Sequence, residues 1–420
     1  MNQIASLFNQ GNNELSKGNI LKAINFYEKV LSIEKKNEKT LNNIAYAYFL
    51  LGDYNRSENY ILEAIEVNKE NQYSYFNLGN LYKRIGRLDD SLENYDKALA
   101  IEPTNKNFLY NKGHILLKQK KYETAWDFYE NRIFTNKFEE NLKNNLKNEI
   151  VLSENIFKEN KLAIIGEQGL GDQILYSSMY SHLLDFNCEV KFINDLRLSD
   201  IFKRTFKEFE FIDKKNYSAI KKLINNNYKF IFSASLGKYF RKDIKNFSGE
   251  PYLIINNVKA NKYKKILSKY NFKKLIGISW KSSRADVGNK SIELNNLQKI
   301  FDNKDFGFIN LQYGENNDLK KYNQIKNNRI IEIDDINLFN EIDDVISLIS
   351  CLDLVITTPN VNVHFSGAIG KKCLVISPLY NELFLYSDIN NGECEWYKNQ
   401  KNIIVQNNLD IILKNIYRYF

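Results

Sequence analysis

Small residues recur at a spacing of 34 residues through the first third of the chain. Three series share this spacing: Gly11, Ala45, Gly79 and Gly113; Ala23, Ser57, Ser91 and Ala125; and Gly18, Gly52 and Gly86. Aromatic residues keep the same register at Tyr27, Tyr95 and Tyr129, with Ile61 at the second position. Small residues at a fixed period mark close helix crossings, and a period of this length is typical of stacked helix pairs.

The pattern resembles the tetratricopeptide repeat, in about four copies over residues 1–135. The resemblance implies an N-terminal α-solenoid whose concave groove binds a protein or peptide. Candidate groove residues lie on the first helix of each pair: Asn9, Asn12, Asn13, Asn42, Asn43, Tyr46, Asn77, Asn80 and Lys83. Repeated asparagines would suit hydrogen bonding to an extended peptide. For each residue alone, a polar exposed position without a ligand is an equal alternative.

The remaining chain alternates short apolar runs with helix-length segments, a pattern that predicts α/β parallel sheets. Residues 136–160 are charged and weakly periodic, and we interpret them as a helical linker. Two doubly wound domains are predicted, at 161–272 and 273–420, with a closing helix at 408–420. Five strands are expected in each domain: KLAIIGE, EVKFIND, FEFID, YKFIFSA and YLIIN, then KLIGISW, FGFINLQ, RIIEID, DLVITT and KCLVISP.

The turn after the first predicted strand, GEQGLGDQI, is rich in glycine but fits neither phosphate-loop pattern. It lacks the GK[ST] ending of a Walker loop, and its glycine spacing differs from GxGxxG. Its candidate residues are Gly166, Gln168, Gly169, Gly171 and Asp172. A helix-capping carboxylate is the simplest interpretation of Asp172 from the turn alone.

The second predicted sheet has three candidate segments at the carboxyl ends of its strands, where doubly wound sheets bind ligands. Their candidate residues are Trp280, Lys281, Ser282 and Ser283; Gln312 and Tyr313; and Asn360, Asn362, His364 and Gly367. The helix beginning near Asn360 would suit a diphosphate, because its free N–H groups and dipole favour an anion. His364 alone could equally be a hydrogen-bonded core residue.

Ordered motifs over most of the chain resemble GT-B glycosyltransferases of the ADP-heptose:lipopolysaccharide heptosyltransferase type, in the variant preceded by tetratricopeptide repeats. The motifs are YETAWDFYENRIF, GEQGLGDQILYSSMY, SLGKYF with GEPYL, GISWKSS with KSIEL and FINLQYG, DLVITTPNVNVHFSGAIGKKCLVISP, and EWYKNQKNIIVQ. The resemblance implies two Rossmann-like domains and a nucleoside-diphosphate sugar as co-substrate, with no cofactor and no metal. It also implies that Asp172 is the general base of an inverting transfer. The chain departs from the family at Pro359-Asn360, where an Asp-Thr pair is usual, and at Lys372, where proline is usual.

The expected function is transfer of the sugar to a hydroxyl, on a flagellin-like or other surface protein held by the repeats. Two alternatives stay open: a heptosyltransferase-like enzyme of lipopolysaccharide synthesis, and a non-catalytic adaptor on a degenerate GT-B core. The net charge of +8 is scattered and matches no nucleic-acid-binding module. The start of the chain lacks the features of a signal peptide, and no run is long enough to span a bilayer. With four cysteines in no metal-binding spacing, we expect a cytoplasmic protein.

Overall fold

The computed structural model describes residues 3–135, 142, 146, 149–150, 156–282, 291–314, 317–325, 329–377 and 393–404. The chain divides into two compact units, with the division after Thr135. Most of the predicted linker (136–160) and the predicted closing helix (408–420) lie outside the described residues.

The first unit consists of α-helices in four antiparallel pairs. The helices are α1 Gln3–Ser16, α2 Ile20–Ile33, α3 Glu38–Leu51, α4 Tyr54–Val67, α5 Gln72–Arg84, α6 Leu88–Ile101, α7 Lys106–Lys118 and α8 Tyr122–Tyr129. A 3₁₀ helix, Glu130–Phe134, follows α8. The 34-residue period therefore corresponds to one helix pair.

Left-handed backbone ends the first helix of each pair. Gly18, Gly52 and Gly86 have φ angles of 79°, 79° and 82°, and Lys120 takes the fourth position at 59°. Because glycine reaches this region without steric cost, the series of glycines has a direct conformational reason. The loops between pairs end in capping asparagines: Asn37, Asn71 and Asn105 accept backbone N–H bonds of α3, α5 and α7.

The glycines inside the first helices allow the paired helices to touch. A Cβ atom on Gly11 would lie 2.5 Å from Tyr27 Cε1, and one on Gly113 would lie 2.5 Å from the Tyr129 backbone nitrogen. The second pair has Ala45 at this position and Ile61 in place of the tyrosine, and both are buried in one core cluster. The small residues and the aromatic residues of the period are therefore two sides of one helix contact.

The second unit contains two parallel sheets. The strands of the first sheet are β1 Lys161–Ile165, β2 Glu189–Asn194, β3 Glu210–Asp213 and β4 Lys229–Phe232. Those of the second are β5 Lys274–Ser279, β6 Phe306–Asn310, β7 Ile330–Ile331, β8 Leu354–Thr357, β9 Cys373–Ser377 and β10 Gln400–Ile404. Both sheets are bordered by helices: α9 Leu170–Ser177, α10 Ser199–Thr205, α11 Tyr217–Asn225, α12 Gly237–Phe240, α13 Asn257–Leu267, α14 Gln298–Phe301, α15 Asn317–Ile325, α16 Ile342–Ser350 and α17 Val361–Ala368.

The prediction of five strands in each sheet is wrong, because the described residues form four and six. Residues 252–256 (YLIIN) are not a strand. The backbone N–H groups of Tyr252 and Leu253 instead donate to the carbonyl of Ala368, at 2.9 and 3.0 Å. The sixth strand of the second sheet is β10, which pairs in parallel with β9. An apolar run can thus serve as a connection when a carbonyl outside a sheet accepts its N–H groups.

Each sheet reverses its strand order next to its first strand. The orders are β3-β2-β1-β4 in the first sheet and β10-β9-β8-β5-β6-β7 in the second. Crevices therefore lie at the carboxyl ends of β1 and β4 and of β5 and β8, the places where such sheets bind ligands. The predicted turn follows β1, and the segments beginning at Trp280 and Thr358 follow β5 and β8.

Candidate functional site

The turn after β1 is held by carboxylates. Asp172 Oδ2 accepts the Gly169 backbone N–H at 3.1 Å and so caps the start of α9. Glu167 is fully buried and accepts the Ala234 N–H, after β4, at 2.6 Å. Gln168 has a left-handed φ of 57°. These hydrogen bonds fix the backbone conformation of the turn, and Asp172 has the capping role expected for it.

Two glycines of this turn lie against polar side chains. A Cβ on Gly166 would come within 2.7 Å of Asn194 Nδ2. A Cβ on Gly171 would lie 2.6 Å from Cδ2 and 3.0 Å from Nε2 of His364. Because His364 belongs to α17 of the second sheet, the turn of the first sheet touches the helix at the crevice of the second.

The crevice of the second sheet is organised by Gln312. Its Oε1 atom accepts hydrogen bonds from Ser279 Oγ at 3.1 Å, from Trp280 N at 3.0 Å and from Lys281 N at 2.7 Å. The side chain thus ties the end of β5 to the end of β6. Gln312 is 3% exposed, so its part in the site is to fix the backbone that carries Lys281.

Asn360 caps α17 and joins it to β5. Its Oδ1 atom accepts the Asn362 N–H at 2.9 Å, and its Nδ2 donates to Ser279 Oγ at 2.7 Å and to the Lys281 carbonyl at 3.1 Å. Asn362 Nδ2 donates in turn to the Leu311 carbonyl at 3.1 Å. Both asparagines are buried, and their amides are used within the protein.

Lys281 and Trp280 share one carboxylate that the sequence did not point to. Asp318, in the first turn of α15, accepts the indole N–H of Trp280 at 2.6 Å and the ammonium of Lys281 at 2.9 Å through the same oxygen. Burial by itself would raise the pKa of Asp318, but the bonds from Lys281 and Trp280 outweigh it and the pKa is lowered. Lys281 keeps a half-exposed ammonium beside the crevice, whereas Trp280 is fully buried.

His364 and Gly367 lie on α17 and pack against Tyr397. His364 Nδ1 is 3.3 Å from the Tyr397 hydroxyl, and burial lowers the pKa of the imidazole to about 3. A side chain on Gly367 would overlap the ring of Tyr397. The structure therefore gives His364 the hydrogen-bonded core position that the sequence left open, with a neutral ring at physiological pH.

Gln312 and Tyr313 also border a cavity of about 620 Å³ at the carboxyl ends of β6 and β7. Its walls carry four carboxylates: Glu332, Asp334, Asp335 and Glu341. The ring of Tyr313 lies 6.1 Å from that of Phe339 across the lining. Such a surface suits hydroxyl-bearing rings better than phosphate. Ser282 follows Lys281 and is half-buried, and Ser283 lies outside the described residues.

One ion pair and one hydrogen bond to a backbone carbonyl connect the two sheets beside this cavity. Arg204 of α10 pairs with Asp343 of α16, whose side chain is 6% exposed. Lys259 of α13 bonds to Asp343 and Asp344 at 3.1 and 2.7 Å. Arg197 donates to the Phe339 carbonyl at 3.2 Å. The two sheets are thus fastened to each other around the crevices.

The predicted groove residues of the first unit divide into two sets. Asn9, Asn13 and Tyr46 are exposed. The others make hydrogen bonds within the repeats, namely Asn43 to Asn12 at 2.8 Å, Asn42 to Ser74 at 2.9 Å, Asn77 to Asn42 at 3.3 Å, Tyr95 to Asn80 at 2.7 Å and Lys83 to Asn111 at 2.9 Å. Much of the asparagine series therefore binds neighbouring helices.

In the described part of the chain, no group of three or more His, Cys, Asp or Glu residues is placed to hold a metal ion. Within the same residues, no helix has the length and apolar character needed to cross a bilayer.

The helix pairs of the first unit and their period define tetratricopeptide repeats. Models of this repeat match residues 4–37, 38–71, 73–105 and 94–127. Protein FlbA of Caulobacter vibrioides is 23% identical over 233 residues, which are 52% of this chain. The chain spans about two fifths of the length of this curated relative.

Solved structures of repeat proteins also match. The first repeat domain of Spaghetti (RPAP3), bound to the HSP90 peptide SRMEEVD, is 24% identical; the match covers 27% of this chain and 90% of that one, with a TM-score of 0.26. MamA of Desulfovibrio magneticus is 16% identical; the match covers 31% of this chain and 73% of that one, with a TM-score of 0.29.

Proposed function

We propose that the second unit transfers a sugar from a nucleoside-diphosphate donor to a hydroxyl, and that the repeats hold the protein bearing this hydroxyl. The observation that carries the proposal is the contact between Gly171 and His364. Gly171 directly precedes Asp172, so the turn that carries this carboxylate touches the helix that begins at the second crevice. A base on one side and an anion-binding crevice on the other are the two parts such a transfer needs.

In this mechanism Asp172 removes the proton of the acceptor hydroxyl as its oxygen attacks the anomeric carbon. The bond from the Gly169 N–H to Oδ2 orients the carboxylate. The attack comes from the face opposite the leaving group, so the anomeric configuration is inverted. A positioned general base of this kind typically contributes about 10²–10⁴-fold to the rate.

The leaving diphosphate would bind near Lys281 and the start of α17. Lys281 has its backbone fixed by Gln312, and its ammonium lies 2.9 Å from Asp318. A dianion would compete for this ammonium, and the N-terminus of α17 would add a favourable dipole. The charge of the leaving group is then balanced by side chains and helix, without a metal ion.

The cavity bordered by Gln312 and Tyr313 would take the nucleoside end of the donor. Its carboxylates can accept hydrogen bonds from ribose hydroxyls but would repel phosphate. Placing the nucleoside here and the diphosphate toward Lys281 separates the two parts of the donor by charge.

The proposal is tested by turnover of a nucleotide-sugar panel with wild type and Asp172→Asn. The asparagine keeps an oxygen that can accept the Gly169 N–H but cannot take a proton, so we expect a loss of roughly 10²–10⁴-fold. Asp185→Asn is the matched control, because this exposed aspartate precedes β2 and so lies at the amino ends of the strands, away from the turn after β1. An Asp172→Asn variant with near-normal turnover would remove Asp172 as the base.

A non-catalytic adaptor is the second candidate, and Asn360 favours it. The resembled family usually has an Asp-Thr pair where this chain has Pro359-Asn360, and both functional atoms of the Asn360 amide already bond within the protein. An adaptor would bind a protein through the repeats but no nucleotide through the second unit. Nucleotide titration therefore separates the two candidates.

A further inference from the structure

The second repeat lacks an aromatic pair that the other three repeats contain. In those repeats the ring centroids are 6.1, 5.7 and 5.5 Å apart, for Phe8–Tyr27, Phe76–Tyr95 and Tyr110–Tyr129 respectively. The second repeat has Asn42 and Ile61 at the corresponding positions. The side chains that fill the interior of this repeat therefore lack two aromatic rings.

Ala45 explains why no tyrosine stands at position 61. At the equivalent Gly11 and Gly79, an added Cβ would come within 2.5 and 2.6 Å of the tyrosine rings. Ala45 carries that Cβ, so a tyrosine at position 61 would collide with it. The alanine and the isoleucine are consequently a coupled exchange.

A cavity of about 180 Å³ lies beside Ile61 and Ser57 of this repeat. Its lining is Tyr46, Phe49, Ser57, Ile61, Asn77, Asn80 and Lys83. An apolar cavity of about 150 Å³ is known to bind benzene, so this space has the size of one aromatic ring. It opens at Tyr46, which is half exposed.

Ser57 gives the cavity a buried polar atom. The residue is fully buried, and its hydroxyl has no hydrogen-bond partner among the described residues. In the third repeat the equivalent Ser91 donates to the Gly79 carbonyl at 2.7 Å. A buried hydroxyl without a partner is unfavourable, so the Ser57 hydroxyl would gain from a polar group brought by a ligand.

The rim of the cavity is positively charged. The ammonium of Lys83 lies at this rim and donates to the side-chain oxygen of Asn111 at 2.9 Å. The two first helices from here onward, α5 and α7, carry five basic residues and no acidic one: Lys83, Arg84, Lys106, Lys112 and Lys118. Of these, Lys112 pairs with Asp96 of α6 at 2.6 Å. An approaching carboxylate would meet favourable charge at this end of the groove.

We propose that this cavity takes a tyrosine side chain from an extended acidic peptide. The ring fills the space left by Ile61, its hydroxyl bonds to Ser57, and a neighbouring carboxylate pairs with Lys83. The inference rests on the proposed role of the repeats in holding a protein acceptor, and it names the side chain that anchors this protein.

The test uses fluorescein-labelled peptides GSEYESG, GSEFESG and GSEAESG with the full chain, followed by fluorescence anisotropy at low salt. Burial of one aromatic side chain predicts that the tyrosine peptide binds at least about tenfold more tightly than the alanine peptide. Equal affinities for these two peptides would overturn the proposal.

Two variants assign the binding to the cavity. Ala45→Gly/Ile61→Tyr restores the glycine–tyrosine pair of the other repeats, so it should fold and fill the space. We expect the tyrosine preference to disappear in this variant while its thermal unfolding temperature stays at least as high as wild type. Ser57→Ala, which copies Ala23 and Ala125, should weaken binding of the tyrosine peptide and leave the phenylalanine peptide unchanged. A tyrosine preference that survives in a folded filled variant would place the binding elsewhere and refute the proposal.

The outcome is separable from that of the proposed transferase. If peptides bind without a tyrosine preference, the cavity proposal fails and the groove keeps its role. If no peptide binds, the proposal of a tyrosine-binding cavity fails, whereas nucleotide binding by the second unit is measured independently.

Discussion

Substitution of Gly171 by alanine tests the contact between the turn after β1 and His364 of α17. The new Cβ would lie 2.6 Å from Cδ2 and 3.0 Å from Nε2 of His364. The imidazole cannot easily move aside, because it is buried and bonded to Tyr397. Either the turn or α17 has to shift.

The expected cost follows from two opposing effects. Overpacking of this kind typically costs about 1–3 kcal/mol. Replacing glycine by alanine within a helix returns about 0.5–1 kcal/mol, and Gly171 lies in the first turn of α9. We therefore expect the free energy of unfolding of the second unit to fall by about 0.5–2 kcal/mol.

The assay is urea unfolding followed by tryptophan fluorescence in a Trp126→Phe background, so that Trp280 and Trp396 report on the second unit alone. Gly169→Ala is the matched control in the same turn. Its Cβ would lie 3.4 Å from Asp172 Oδ2, an ordinary contact distance, and its φ of −86° suits alanine. If Gly171→Ala were as stable as Gly169→Ala, the reasoning on the crevice contact would be refuted.

Three further predictions concern stability. Gly113→Ala should lower the free energy of unfolding of the repeats by about 1–3 kcal/mol, because its Cβ would lie 2.5 Å from the backbone nitrogen of Tyr129, which cannot rotate away. The measurement is unfolding followed by the helical circular dichroism signal, and an unchanged free energy of unfolding would contradict the prediction. His364 stays neutral in the fold with a pKa of about 3, while the unfolded imidazole protonates near pH 6.5, so stability should fall as pH drops through this window, by at most about 1.4 kcal/mol per pH unit. A His364→Gln variant with the same pH dependence would argue against it. Arg204→Met should cost about 1–3 kcal/mol by leaving the buried Asp343 short of a partner, whereas Lys273→Met, which breaks an exposed pair, should cost less than about 1 kcal/mol; equal losses in urea unfolding would contradict the ranking.

The repeats could be predicted from the sequence because one period fixes several contacts at once. Gly11 and Tyr27 recur together since neither fits without the other, and such coupled positions are visible in the chain itself. The exchange to Ala45 and Ile61 was equally visible, but the space it leaves depends on three helices meeting, which spacing does not describe.

The second unit has contacts that local sequence patterns do not predict. YLIIN has the composition of a strand, yet the backbone N–H groups of Tyr252 and Leu253 donate to the Ala368 carbonyl. No local sequence pattern predicts this acceptor. Strand ends led to Lys281, Gln312 and Asn360, and hydrogen bonds join these three residues because parallel strands gather their carboxyl ends at one edge. Asp318 is not predicted by this rule, because it follows no strand directly and contacts Trp280 from the first turn of α15.

The proposed transfer requires that the second unit binds a nucleoside diphosphate at the crevice beside Lys281. Calorimetric titration of the full chain with ADP, UDP, GDP and CDP at low salt tests it most directly. We predict saturable binding of at least one of them, weakened at least about tenfold in Lys281→Met because a charge-assisted contact to phosphate is lost. No heat of binding with any of the four nucleotides would contradict the claim and leave only the repeats with a function.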